Sequence, residues 1–163
     1  MSTDEILNLA ENIACQWDWA TEVSRPRPDQ LDVKVLKLEE LVPIAVGLRV
    51  KRLGHLSAIV GLDLGPEANA MEVIYYFCPG AAVIALRVRI PRDAPVVPSM
   101  SQVLSGAEVF ERELHEMFGI EINGLANTER LYLPESWPEG VYPMRKDFNP
   151  AVLSADDEGT KND

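Results

Sequence analysis

Three runs dominated by Val, Ile, Leu and Tyr follow one another almost without pause: His55 to Leu64, Ala70 to Cys78 and Ala82 to Ile90. The gaps between them hold Gly65-Pro66 and Pro79-Gly80. Runs of this length and composition read as strands, and Gly and Pro at the junctions read as turns. Such gaps have no room for the crossover that parallel neighbours need. The spacing therefore predicts a hairpin from the last two runs and an α+β fold, with helices packed on one face of a small, mostly antiparallel or mixed sheet.

The flanking segments add helices and breaks. From Asp4 to Trp19, Ile6, Leu7, Leu9, Ala10, Ile13, Ala14 and Trp17 recur at helical spacing, with Ser2 or Thr3 placed to cap the start. Arg25-Pro26-Arg27-Pro28-Asp29 reads as a linker, because proline lacks an amide hydrogen and restricts the residue before it. Leu31, Val33 and Val35 alternate with polar residues as in a strand, and Glu39 to Lys51 reads as a helix with Pro43 in its first turn. Pro91 to Ser99 is too proline-rich for a ladder and is expected to run extended. A helix is expected over Gly106 to Phe118, and nothing periodic beyond Gly119. The organisation expected is an α+β domain over 1–120, an extended docking tail over 121–153, and a disordered acidic end over 154–163.

Charge and cysteine content bound the function. The chain has 163 residues, 47% of them hydrophobic, which suits one domain with one core. Lys and Arg number 15 against 26 Asp and Glu, and the resulting net charge of -11 disfavours nucleic acid or an anionic membrane surface and favours basic partners. Arg87 and Arg89 share one strand face, either as solvated charges or as a contact strip for an acidic partner. Cys15 and Cys78 form no CxxC pair and read as reduced structural thiols. No segment approaches the roughly 20 apolar residues of a membrane helix, so a cytosolic or peripheral protein is expected.

On the 106–118 helix, Ala107, Phe110, Leu114, Met117 and Phe118 fall on one stripe, with Glu111 and Glu113 at its margins. Carboxylates placed there need cationic or hydrogen-bonding partners. Arg130, Arg145 and Lys146 downstream are the expected cations, pinning the tail to the helix; otherwise all of these are solvated surface charges. Glu108, Glu111 and His115 could share a face, but Gly119 stands where an HExxH motif would place its second histidine, so no zinc or iron–sulfur site is expected. Serine-nucleophile elbows and Gly-rich phosphate loops are missing as well. Trp17, Trp19 and Trp137 read as core or interface anchors.

Four motifs then carry a resemblance. Arg89-Ile90-Pro91-Arg92 with Pro95-Val96-Val97-Pro98-Ser99 resembles the arginine–proline passage of the 30-kilodalton subunit family of respiratory complex I, which also occurs in related membrane-bound energy-converting nickel–iron hydrogenases. Glu111 to Ile120 is similar to that family's ERE-x-x-D-x-FGI, with Glu116 at the Asp position. Arg130-Leu131-Tyr132-Leu133-Pro134-Glu135-Ser136-Trp137 resembles its R-x-LLP-E-DW, and Pro143-Met144-Arg145-Lys146-Asp147-Phe148 its PLRKDY or PLRKDF close. Val141-Tyr142-Pro143 replaces the common Gly-His-Pro, and Asn127-Thr128-Glu129 the usual Asp-Leu-Arg, which tilts the resemblance toward the hydrogenase type.

The resemblance implies an α+β subunit without cofactor or redox centre, a scaffold docked on the large catalytic subunit of a peripheral arm. Iron–sulfur clusters and nickel–iron or quinone sites are then expected in partner subunits, in a complex coupling electron transfer to ion translocation. The chain would sit on the cytoplasmic side of the cell membrane, reaching it only through partners, and would bind no nucleic acid. The docking residues carried over are Glu111, Arg112, Glu113, Arg130, Pro134, Arg145, Lys146 and Asp147. Two other readings stand beside it: an independent soluble enzyme using the helix carboxylates and His115, and a generic acidic adaptor.

Overall fold

The three apolar runs form β3 (Leu56–Asp63), β4 (Ala70–Phe77) and β5 (Val83–Pro91), which pair antiparallel in succession. The structure, a computed structural model, describes residues 1–153. On the far side of β5 lies β2 (Gln30–Val35), parallel to it, and β1 (Thr21–Arg27) closes that edge as an antiparallel hairpin partner of β2. The order β1-β2-β5-β4-β3 makes the sheet mixed.

One face of this sheet is apolar. Val33, Leu86, Tyr75 and Ile59 lie in one cross-strand row, and all are buried. Helices α1 (Thr3–Ala14), α2 (Leu41–Val50) and α3 (Ala107–Phe118) cover that face, α1 against β2 and α2, and α3 against β3. Their buried residues, such as Leu7, Leu41, Ile44 and Leu114, complete the core. The other face carries Asp32, Glu72 and Arg87. Arg87 grips Glu72 at 3.1 and 2.8 Å and Asp32 at 2.9 Å, so this cation ties β2, β5 and β4 together, while Arg89 is exposed. Ion-paired and hydrogen-bonded on two sides, Arg87 is committed to the sheet itself.

Proline-containing segments depart most from expectation. Arg25 to Arg27 is strand, not linker: β1 is an edge strand, where a missing amide hydrogen faces solvent, and the pairing is irregular between Ser24 and Arg27. Pro28 and Asp29 form the turn. Likewise β6 (Val96–Pro98), inside the stretch expected to lack a ladder, pairs in parallel with β7 (Glu121–Asn123), beyond the point where no period is visible. A three-residue ladder is too short to leave a period. The segment 154–163, expected to be disordered, lies outside the described residues.

Helix α1 also ends sooner than its period suggests. Ser2 and Glu5 form a reciprocal capping box at its start, as expected for Ser2. At its end the Thr21 hydroxyl donates to the Ala14 carbonyl at 3.1 Å, and the buried Glu40 carboxylate accepts from the Ala20 amide at 2.8 Å. These contacts turn the chain into β1 and leave Trp17 62% exposed.

Helix α3 lies against β3 at Gly61, where an added Cβ would come within 2.7 Å of Phe118 Cε2 and 2.8 Å of Leu114 Cδ2. Gly61→Ala should therefore push α3 off the sheet and cost about 1–3 kcal/mol, read as a lower denaturant midpoint with an unchanged m value.

Candidate docking site on helix α3 and the C-terminal tail

The site begins with a carboxylate turned inward. Glu111, one turn into α3, is 1% exposed. One of its oxygens accepts from the Ser99 hydroxyl at 2.7 Å and the other from the Met100 amide, fastening the loop after β6 to the helix. Burial pushes its pKa above the ordinary carboxylate value, the Met100 and Ser99 donors pull it back, and Glu108 adds to the rise. The hydroxyl of Tyr75 is buried without a partner among the described residues, and burial together with the charge of Glu111 pushes that phenol up.

Helix α3 then fixes the tail through the tail's own backbone. Glu116 accepts from the amides of Leu131 at 3.2 Å, Tyr132 at 2.9 Å and Leu133 at 2.7 Å, so one carboxylate satisfies three successive N–H groups. Arg112 donates to the carbonyls of Glu129 at 2.9 and 3.1 Å and Arg130 at 3.2 Å. Arg130 closes the next loop on the carbonyls of Pro134 at 2.5 Å, Glu135 at 3.3 Å and Trp137 at 2.7 Å. Arg145 reaches back to the Phe118 carbonyl at 2.8 Å and lies 4.8 Å above the Tyr142 ring. Gly119 ends α3 at φ 68°, a left-handed cap, with Tyr142 packed where a side chain would stand. An irregular segment has no ladder of its own, and these charged side chains supply its hydrogen bonds.

A second anchor holds the tail's far end. Asp63, 4% exposed at the end of β3, accepts from Arg92 Nε at 2.9 Å and Nη2 at 3.0 Å, from the Gly65 amide at 2.9 Å and from the Lys146 amide at 2.8 Å. Arg92 also binds Asp147 at 2.5 Å. Burial alone would raise the pKa of Asp63, but the Arg92 guanidinium and the two amides outweigh it and hold the carboxyl at about 2. Arg92 likewise holds Asp147 below the usual carboxylate range. Tyr132, 61% exposed, and Met144, 57% exposed, stay on the outside of the pinned tail.

The carboxylate–cation pairs expected between Glu111 or Glu113 and Arg130, Arg145 or Lys146 do not form. Glu111 faces the Ser99 loop, both arginines are spent on carbonyls, and neither Glu113 nor the Lys146 ammonium has an ion pair among the described residues. Pro134 is exposed and contributes its carbonyl. The anchors that the structure uses are ones that spacing had not joined to the tail: Glu116 at one point, and the pair Asp63 and Arg92 at another. Glu116 and Arg92 both stood inside motifs, whereas nothing local marked Asp63. His115 Nδ1 lies 3.0 Å from the Ile120 carbonyl, at the edge of a cleft of about 340 Å³ shared with Glu116, Arg130 and Trp137. Among the described residues no three His, Cys, Asp or Glu side chains gather as a metal ion would require. The arrangement is suited to shaping a surface.

The family model for the respiratory-chain NADH dehydrogenase 30 Kd subunit matches residues 34–152. The membrane-bound hydrogenase subunit beta of Pyrococcus furiosus is 35% identical over 95 residues, which cover 57% of this chain and 55% of that protein. Formate hydrogenlyase subunit 5 of Escherichia coli is 34% identical over 123 residues, 73% of this chain and 21% of that protein. The chain thus spans about half the length of the first relative and about a fifth of the second. Among solved structures, a chain of the membrane-bound sulfane sulfur reductase, an archaeal respiratory membrane complex, superposes with a TM-score of 0.74 at 20% identity, over 99% of this chain and 94% of that one. The Nqo5 fragment 1-134 gives 0.59 at 22% identity, over 77% and 99%. These two likenesses establish a shared fold.

Three variants test the anchors. The folded pKa of Asp63 lies below its value of 3.8 in an unfolded chain, so the unfolded state binds more protons between about 2 and 3.8, and the contribution is complete above that window and lost as pH falls through it. Acid unfolding of the wild type should lose about 2 kcal/mol across this window, and Asp63→Asn should be less stable at neutral pH and flatter in acid. For Glu111 the sign is opposite, because its raised pKa means that the charged form weakens the fold. Glu111→Gln, which keeps an acceptor for Met100, should hold or gain stability at neutral pH, whereas Glu111→Ala should lose about 1–3 kcal/mol in the same denaturation series.

Proposed function

This chain belongs to the respiratory-chain NADH dehydrogenase 30 Kd subunit family, and from that premise we propose that it is the scaffold subunit of a membrane-associated, complex I-related oxidoreductase of the hydrogenase type. It carries no redox centre in this reading. It docks on the large catalytic subunit and keeps the neighbouring iron–sulfur and nickel–iron or quinone sites in register, while electron transfer and ion translocation proceed in the partners. Its place is on the cytoplasmic side of the membrane, reached only through those partners. The described residues contain no helix long and apolar enough to cross a membrane.

The observation that carries the proposal is how the motif residues are used. Arg112, Glu116, Arg130 and Arg145 all bind main-chain atoms, spending their charge on the course of the tail rather than on a pocket for substrate. A tail held in one shape before docking avoids the ordering cost that a disordered segment meets on binding. Glu113, Lys146, Tyr132 and Met144 then remain to meet a partner, with Arg112, Pro134, Asp147 and the inward Glu111 shaping that surface. Similarity to two hydrogen-metabolising proteins by name, at 35% and 34% identity, favours the hydrogenase type over a quinone reductase.

The test is gentle purification of the tagged chain from solubilised membranes of its host, with the stoichiometric partners identified by mass spectrometry. A large nickel–iron-type subunit and iron–sulfur proteins are expected at one copy each. Arg112→Ala combined with Arg130→Ala should lower their recovery at least about tenfold, equivalent to about 1.4 kcal/mol, with the sheet still folded by circular dichroism. Recovery of the wild-type chain alone, as a soluble protein, would overturn the proposal.

A further inference from the structure

Helix α2 is apolar on both sides. Its sequence, Leu41 to Val50, carries one charged residue, Arg49. Leu41, Ile44, Ala45 and Leu48 face inward and are buried, which accounts for one side. Pro43, Val46 and Val50 recur at helical spacing on the other and are exposed, Val46 at 38% and Val50 at 71%. A helix that is hydrophobic all round is ordinarily covered on both faces. Here the outer face forms one wall of a groove of about 430 Å³, and Ile13, Trp17 and Trp19 form the other. The two indole rings lie 6.4 Å apart, and Trp17 is 62% exposed. Tryptophan is among the residues enriched in binding hot spots, and the valine ridge beside it adds apolar surface.

Charge selects the occupant. The chain carries -11 overall, yet Arg49, Lys51 and Arg52, at and just beyond the end of α2, are all exposed, and none forms a salt bridge among the described residues. A second copy of this chain would set these cations against themselves and -11 against -11. An anionic bilayer meets the same net repulsion. We propose that this groove receives an amphipathic helix of another subunit, whose apolar stripe packs on Val46, Val50 and Trp17 and whose acidic residues meet Arg49, Lys51 and Arg52. Ridges at a spacing of three and four residues suit helix-on-helix packing, and rim charges set orientation and encounter rate. The groove is built from α2, the end of α1 and the connection that follows it, separate from the pinned tail, so the chain has two docking surfaces. The inference rests on the subunit reading only for where the helix comes from.

A photo-crosslinking residue placed at Val50 in the full chain within its native complex, and in a second preparation at Met144 on the tail, separates the two proposals. The expected result is a Val50 adduct to one segment of a partner subunit, mapped to an apolar helix with acidic residues at one end, alongside a Met144 adduct to the large subunit. Arg49→Glu, Lys51→Glu and Arg52→Glu together should cut the Val50 adduct at least about tenfold and leave the Met144 adduct and the circular dichroism spectrum unchanged. A Val50 adduct to lipid, to a second copy or to nothing, with the Met144 adduct intact, overturns the groove proposal and leaves the subunit reading standing. An unchanged Val50 adduct in the triple variant also overturns it. Loss of both adducts in the unaltered complex overturns both.

Discussion

Asp63 is the point on which the architecture turns. It is a carboxylate almost without solvent, at the end of an edge strand, satisfied by Arg92 from just beyond β5 and by the amides of Gly65 and Lys146. Buried charge is tolerated only when its lone pairs are filled. Here the filling groups come from the start of the β3–β4 turn, from the exit of the central strand β5 and from the tail. One residue thus couples the sheet edge to a segment 83 positions further along the chain. Arg92 passes the connection on to Asp147.

The rest of the tail extends that solution. A segment without regular structure must still satisfy its amides and carbonyls. Glu116 takes three of its amides, Arg112 and the tail's own Arg130 take its carbonyls, and Arg145 reaches back from the tail to the Phe118 carbonyl, so helix and tail together satisfy a chain that has no ladder. A preformed surface of this kind is suited to assembly, because its ordering cost is met in folding and not in binding. The groove between α2, Ile13 and the two tryptophans follows a different logic, apolar ridge and tryptophan wall with a basic end. Two surfaces of different chemistry suit a body placed between neighbours.

Local pattern was enough for the meander and for helix α3. Strand runs closed by Gly and Pro, and an apolar stripe at 3.6-residue spacing, depend on nearest neighbours and survive in any environment. The mixed sheet with helices on one face was legible for the same reason, and so were the four motifs that mark the family. What local pattern misassigned were the proline-bearing segments. Whether Pro26 interrupts a ladder depends on whether its strand lies at an edge, and Val96–Pro98 becomes a strand only because Glu121–Asn123 arrives beside it.

The partners of the charged residues were settled at a still longer range. Spacing placed Glu111 near a cation, but which group fills a buried carboxylate depends on what the loops bring to it, and here the Ser99 loop, not an arginine, fills it. Residue types and periods were sufficient to name β2 to β5 and the helices, because those follow from steric preference and from apolar burial along the chain; the family was read from its four motifs. The pinning of the tail, the role of Asp63 and the exposed side of α2 were decided in three dimensions, because hydrogen bonds and ion pairs are satisfied by whichever groups the packed core holds within about 3 Å.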